Sequence, residues 1–320
     1  MKYILYKILN IFLISFIKVV SYSEIVYTKK KLSYVKGKSF FFDFTHSTTH
    51  MGDRLFFFRL IRYLEVNNFE LVISDSDHST LELFNTIFDK HSVKVSSKNN
   101  KYDYYVIPSP TLNIKNIKFL LSQNLIVCKF TDVKSESILD QLDCGFGKIL
   151  NLNINSRKCL QNIDKNISDD IKVAHKNNLS VNKRYYLYSN YIDSGRFRKF
   201  FVKESILCNK AMDLKNKGFK IIHIGTNLDR VNDSKEYSFI DVDLRGKLRL
   251  TDLVMLTKTS MVTGAISFDN LIMHIIGIYD KDCHILFRGR FLKKNSMQHY
   301  NYINQVFFDN KNINYLRDIK

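Results

Sequence analysis

Residues 240–290, IDVDLRGKLRLTDLVMLTKTSMVTGAISFDNLIMHIIGIYDKDCHILFRGR, decide the fold. They read as strand, Gly turn, helix, short strand, polar loop, helix and strand. Ser267, Asp269, Asn270 and His274 fall where a strand hands over to a helix. Open α/β sheets bind their ligands at such junctions, outside the carboxyl ends of the strands.

The same alternation runs outward in both directions. Upstream lie a strand RYYLYS (184–189), the polar stretch NYIDSGRFRK (190–199), a helix FFVKESILCNKAMDLKNKG (200–218) and a strand FKIIHIGT (219–226). An earlier half begins with SFFFDF (39–44), a continuous apolar run that suits a buried strand. The loop THSTTHMGD (45–53) follows, then a helix RLFFFRLIRYLEVNN (54–68) with Leu55, Phe58, Ile61 and Leu64 at helical spacing. FELVIS, STLELFNTIF, YDYYVIP, the helix-like NIKNIKFLLSQ and NLIVCKF continue it to residue 130. Alternating strands and helices predict parallel sheets. From 143 to 183 the texture turns rich in Asn, Lys and Asp. The expected organisation is an N-terminal segment over 1–38, a Rossmann-like domain over 39–150, a linker over 151–183 and a second Rossmann-like domain with a C-terminal segment over 184–320. The fold class is α/β, with mainly parallel sheets facing a cleft.

A chain of 320 residues suits two domains of about 150 residues each. Its 45% apolar and 25% charged content is that of a globular protein. A formal charge of +18 draws anions to the surface. No zinc finger, RRM-type strand or arginine-rich helix accompanies it, so no nucleic-acid partner is expected. The cysteines, Cys128, Cys144, Cys159, Cys208 and Cys283, are odd in number and form no CxxC pair. They read as reduced, mostly buried thiols of a cytoplasmic protein. Within 1–38 the longest uncharged run, Ile8 to Ile17, is too short to span a bilayer, which takes about 20 residues. Lys2, Lys7 and Lys18 with Phe12, Leu13 and Phe16 suit a helix lying in an anionic membrane interface, and Lys29, Lys30 and Lys31 add attraction. A first helix packed on the protein's own core is the other reading.

Three groups carry candidate chemistry. Gly52-Asp53, between a strand and a helix, either brings a carboxylate to the sheet edge or caps the helix from Arg54. Ser189, Asn190, Ser194, Gly195, Arg196, Arg198 and Lys199 combine small polar residues with cations before a helix, which suits a diphosphate or a merely solvated loop. Asp269 and His274, five apart at a helix start, suit a cap and a core histidine, or a ribose acceptor and a ligand group. Asp75-Ser76-Asp77 imitates a DxD metal site but leads straight into a helix, and no HxH or HExxH spacing occurs, so no metal is expected.

In this order the groups resemble the family 9 glycosyltransferases, the heptosyltransferases of GT-B fold. HMGDRLFFFRLIRYL is similar to the family's first Gly-Asp loop and helix. RKFFVKESILCNKAMDLKNKGFKIIHIG is similar to its Lys-led helix and following strand. LRGKLRLTDLVMLTKTSMVTGAISFDNLIMHIIGI is similar to its nucleotide-binding segment, with Asp269, Met273 and His274 on its Asp, Met and His. Asn270-Leu271-Ile272 stands where the family has Ser/Thr-Gly-Pro, and Phe200 where it has Trp. The resemblance implies Asp53 as catalytic base. It implies Ser189, Asn190, Arg198, Lys199, Ser267, Asp269, Asn270 and His274 around a nucleotide diphosphate sugar, with that donor as substrate and no cofactor. The expected activity is inverting, metal-independent glycosyl transfer to a lipid-linked or polysaccharide acceptor in lipopolysaccharide, O-antigen or capsule synthesis. The expected place is the inner face of a bacterial cytoplasmic membrane, bound peripherally to its anionic surface. Two other readings stand beside it: a polysaccharide pyruvyl transferase-like enzyme, and a non-enzymatic basic α/β protein binding nucleic acid or membrane.

Overall fold

The computed structural model describes residues 20–21, 23, 26–28, 39–44, 51–74, 78–88, 92–96, 101–108, 124–128, 138–156, 170–190, 204–232, 236–268, 270–286 and 313–316. The chain divides into two compact units, Met1–Asn162 and Ile163–Lys320.

The first unit holds strands β1 (Val20–Ser21), β2 (Val26–Thr28), β3 (Ser39–Phe42), β4 (Glu70–Ser74), β5 (Lys94–Ser96), β6 (Tyr104–Pro108) and β7 (Leu125–Cys128). Its helices are α1 (Met51–Val66), α2 (His78–Ile87) and α3 (Ile138–Leu150). The strand order is β1-β2-β7-β6-β3-β4-β5. The pairs from β7 to β5 are parallel, while β2 joins β7 and β1 antiparallel. Part of the expected N-terminal segment thus extends the sheet, with Val26 and Thr28 fully buried. The amphipathic helix expected around residues 8–17 and the helix expected at 113–123 lie outside the described residues, as does Asp75-Ser76-Asp77.

Helix α1 begins at Met51, three residues before the expected start. Gly52 and Asp53 therefore lie in its first turn rather than in the preceding loop. Leu55, Phe58, Ile61 and Leu64 are buried, and so are Phe56, Phe57, Arg59 and Leu60. A helix apolar nearly all round is one enclosed by its neighbours. Buried Arg59 donates from Nε to Ser156 Oγ (2.8 Å), and Ser156 donates its amide and hydroxyl to Asp143 (2.9 and 2.7 Å). Desolvation pushes the Asp143 carboxyl up, against the bonds from Ser156 and the charge of Arg59.

Asp143 sits on α3, a helix the sequence reading missed because DCGFGK looks like a loop. A Cβ on Gly145 would lie 2.4 Å from Val26 Cγ2, so a glycine is what lets α3 rest on β2. Aromatic side chains fill this core, among them Phe40 on Tyr104 (4.8 Å) and Phe58 on Phe84 (5.1 Å).

The second unit holds β8 (Tyr185–Ser189), β9 (Lys220–His223), β10 (Val242–Asp243), β11 (Val262–Phe268), β12 (Asp282–Leu286) and β13 (Ile313–Leu316). Its helices are α4 (Asp170–Lys176), α5 (Glu204–Asn216), α6 (Asn227–Asn232), α7 (Leu250–Lys258) and α8 (Leu271–Ile278). All strands are parallel in the order β10-β9-β8-β11-β12-β13. Counted within the unit this is 3-2-1-4-5-6, the order of a doubly wound dinucleotide-type sheet. Strand order reverses between β8 and β11, the two central strands. Every residue of β8 is buried, as befits a strand covered on both faces.

Gly264 of β11 stands where a side chain has no room. A Cβ there would meet Asp282 O at 2.1 Å and the Tyr186 ring at 2.8 Å. Tyr186 crosses the glycine to donate its hydroxyl to Asp282 Oδ2 (2.6 Å). Gly264→Ala is expected to destabilise the chain by about 1–3 kcal/mol through overpacking against backbone. Urea unfolding reads this as a lower midpoint at unchanged slope, and a midpoint equal to wild type would contradict the packing described.

Candidate functional site

At the reversal point the two central strands end side by side, with Ser189 of β8 in register with Ser267 of β11. Ser267 is fully buried and its hydroxyl donates to Phe268 O (2.7 Å). Beyond β11, Asn270 donates from Nδ2 to Ser189 Oγ (3.0 Å). Its Oδ1 accepts from Ile272 N (3.1 Å), so Asn270 is the N-cap of α8. Asp269, which the sequence offers either as this cap or as a ribose acceptor, lies outside the described residues. One short side chain therefore caps a helix and stitches the ends of β8 and β11 together.

Asn190, the next residue after β8, is the hub of a second network. Its Nδ2 donates to Glu204 Oε1 (2.7 Å) and to Tyr237 Oη (2.9 Å), and its Oδ1 lies 2.9 Å from His223 Nε2. The Tyr237 hydroxyl in turn donates to Glu204. A carboxylate only accepts, which assigns the amide nitrogen of Asn190 to Glu204 and leaves its oxygen facing His223. His223 must then carry a proton on Nε2. The network joins the ends of β8 and β9 to the first residue of α5. Sequence reading singled out Asn190 but missed His223, Glu204 and Tyr237. The one available signal was a histidine closing the strand FKIIH directly after two isoleucines.

A pocket of about 520 Å³ opens at the carboxyl ends of β9 and β10, with His223 and Tyr237 in its wall. Asp243 receives Nε of Arg245 at 3.1 and 3.2 Å, its Nη2 at 2.9 Å and its backbone amide at 3.0 Å. Burial raises the Asp243 carboxyl, but Arg245 outweighs it and holds the group below the usual carboxylate range. Asp241 accepts from Lys220 Nζ (3.0 Å) and Ile221 N (2.9 Å). Arg230 and Glu236 complete the polar lining.

Four of the nine expected site residues, Ser189, Asn190, Ser267 and Asn270, thus gather at the ends of β8 and β11. His274 follows one turn into α8, where burial depresses its imidazole to a pKa of about 3 and keeps it neutral. Arg198 and Lys199 lie outside the described residues. Asp53 is placed by its backbone in the first turn of α1, and its side chain lies outside what is described. Among the described residues no His, Cys, Asp or Glu cluster has the makings of a metal site. No helix of the described residues is long and apolar enough to cross a membrane. Cys128 and Cys283 are buried, while Cys144 is exposed.

No protein-family model and no curated protein sequence matches the chain, but solved structures do. A family 9 glycosyltransferase from Veillonella parvula DSM 2008 superposes with a TM-score of 0.59 at 11% identity, over 91% of this chain and 90% of that one. The E. coli ADP-heptose lps heptosyltransferase II gives 0.57 at 10% identity over 88% and 91%. The E. coli heptosyltransferase WaaC with ADP gives 0.53 at 9% identity over 87% and 93%. The chain has the GT-B fold of these glycosyltransferases.

His274, half-buried on α8, also sets a pH dependence. Its folded pKa of about 3 lies below its ordinary 6.5. Between those values the unfolded chain binds a proton that the folded chain refuses, so this contribution is complete above pH 6.5 and is lost as pH falls. Denaturant unfolding at pH 7 and pH 5 is expected to show wild type losing about 2 kcal/mol more than His274→Gln. Equal losses would mean the imidazole is not desolvated.

Proposed function

We propose that the chain is an inverting glycosyltransferase that moves a sugar from a nucleotide diphosphate sugar to a lipid-linked or polysaccharide acceptor. The observation that carries this reading is the joined pair Ser189 and Asn270 at the strand-order reversal of a doubly wound sheet. Ligands of such sheets bind at that point. The shared GT-B fold supports it, since one structure of that fold holds ADP and another is an ADP-heptose lps heptosyltransferase.

In this reading Asp53 takes the proton from the acceptor hydroxyl as that oxygen attacks the anomeric carbon. The departing diphosphate needs positive charge. The amide of Ile272 at the start of α8 is already bonded to Asn270, so the charge falls to Arg198 and Lys199. No metal is invoked. Asp269 accepts from donor hydroxyls, and His274, being neutral, serves as a hydrogen-bonding group rather than a phosphate counter-ion. The charge of +18 suits an acceptor carried in an anionic membrane, and lipopolysaccharide, O-antigen or capsule synthesis is the corresponding setting.

Transfer is assayed with a panel of nucleotide sugars and a lipid-extract acceptor, with release of the nucleotide as readout. Asp53→Asn is expected to lower kcat by about 100-fold or more with little change in donor KM. Arg198→Ala combined with Lys199→Ala is expected to weaken donor binding by about 10-fold or more. An Asp53→Asn enzyme of full activity would remove the base assignment, and the absence of nucleotide release from every donor would remove the reading.

A further inference from the structure

The pocket at the ends of β9 and β10 is built from polar side chains, most of them already engaged. Asp243 and Arg245 are locked to one another, Asp241 is held by Lys220 and the Ile221 amide, and His223 and Tyr237 are fixed through Asn190. These bonds preform the walls, and they fix the ring of Tyr237 as a flat apolar surface between polar neighbours. Two lining residues stand apart. Arg230, on α6, and Glu236, in the segment before Tyr237, are exposed and have no side-chain partner among the described residues. One presents only hydrogen-bond donors and the other only acceptors.

A guanidinium and a carboxylate, each able to make two parallel bonds, are matched by a flat ligand with two adjacent acceptors on one edge and two adjacent donors on another. Among the common nucleobases guanine has both edges. Its O6 and N7 accept two bonds from an arginine, and its N1–H and N2–H donate two to a carboxylate. Adenine and cytosine bring one amino group beside ring nitrogens that only accept, so a carboxylate gains one bond. Uracil and thymine present a single N–H between two carbonyls, which leaves a carboxylate oxygen facing a carbonyl. The cavity, about 520 Å³, falls within the ordinary range for a small-molecule site.

We propose that this pocket takes the base of the donor nucleotide and that the base is guanine, with Arg230 on O6 and N7 and Glu236 on N1–H and N2–H. The proposal rests on the nucleotide-sugar reading above and names the donor as a guanosine diphosphate sugar. Specificity then comes from the two unengaged side chains, while the bonded walls supply shape.

The test is calorimetric titration of the full chain at fixed salt with GDP, ADP, CDP, UDP and dTDP. GDP is expected to bind about tenfold or more tightly than the others. Glu236→Gln and Arg230→Ala are each expected to weaken GDP by about tenfold or more, and UDP by less than about twofold. Both side chains are exposed, so the ligand-free melting temperatures of the variants should match wild type and exclude misfolding as the cause. Tighter binding of any other nucleotide, or a GDP preference that survives both substitutions, overturns the guanine assignment and leaves the nucleotide-sugar reading standing. Failure of all five nucleotides to bind removes that reading and this proposal with it.

Discussion

In a wholly parallel sheet each strand must be followed by a crossover before the chain can lay down the next one. From β8 the chain of the second unit builds outward through β9 to β10, and from β11 it builds the other way through β12 to β13. The loops leaving β8 and β11 therefore diverge, and the space between them cannot be closed by either crossover. Polar backbone ends exposed there need partners. Asn270 meets this need at the Ile272 amide as N-cap of α8, and its other end donates to the Ser189 hydroxyl and so joins the two loops. One residue beyond β8, Asn190 ties side chains together instead, bonding Glu204, Tyr237 and His223. The candidate site is thus a consequence of sheet topology, with two asparagines fixing its floor.

This organisation separates groups that shape the site from groups left to meet a ligand. The side chains of Asn190, Asn270, Asp241 and Asp243 bond within the protein, and such engaged groups hold position at little further entropic cost when a ligand arrives. Charge for an anionic ligand must come from elsewhere. The chain carries 49 Lys and Arg against 31 Asp and Glu, so cations are in surplus over the chain as a whole while the bonded residues of the floor are neutral or acidic. Arg245 illustrates why a residue count is a poor guide: it faces the pocket, but Asp243 neutralises it.

Much of the fold was legible because short apolar runs and helical periodicity were clear. SFFF, ELVIS, YYVIP, YYLYS, KIIH and the whole alternation of 240–286 emerge as elements close to where they were read. The misses have physical causes. Helix α3 carries two glycines that a loop would also carry, and its Gly145 makes sense only once Val26 is seen against it. Strands β1 and β2 are two and three residues long, too short to show a period. Of the site, Ser189 and Asn270 were legible from their place at strand ends, and their bond was not, because 81 residues separate them. The start of α1 at Met51 places Gly52 and Asp53 inside a helix, since propensity alone sets helix ends only to within a few residues.

The central claim is that a nucleotide diphosphate occupies the point where strand order reverses in the second unit. Hydrogen exchange of the full chain, followed by mass spectrometry with and without a saturating nucleotide diphosphate sugar, tests it most directly. The account predicts slowed exchange in peptides spanning 186–200 and 266–275, with strands β12 and β13 little changed. Protection confined to other segments, with those two peptides unaltered by a ligand that demonstrably binds, would contradict it.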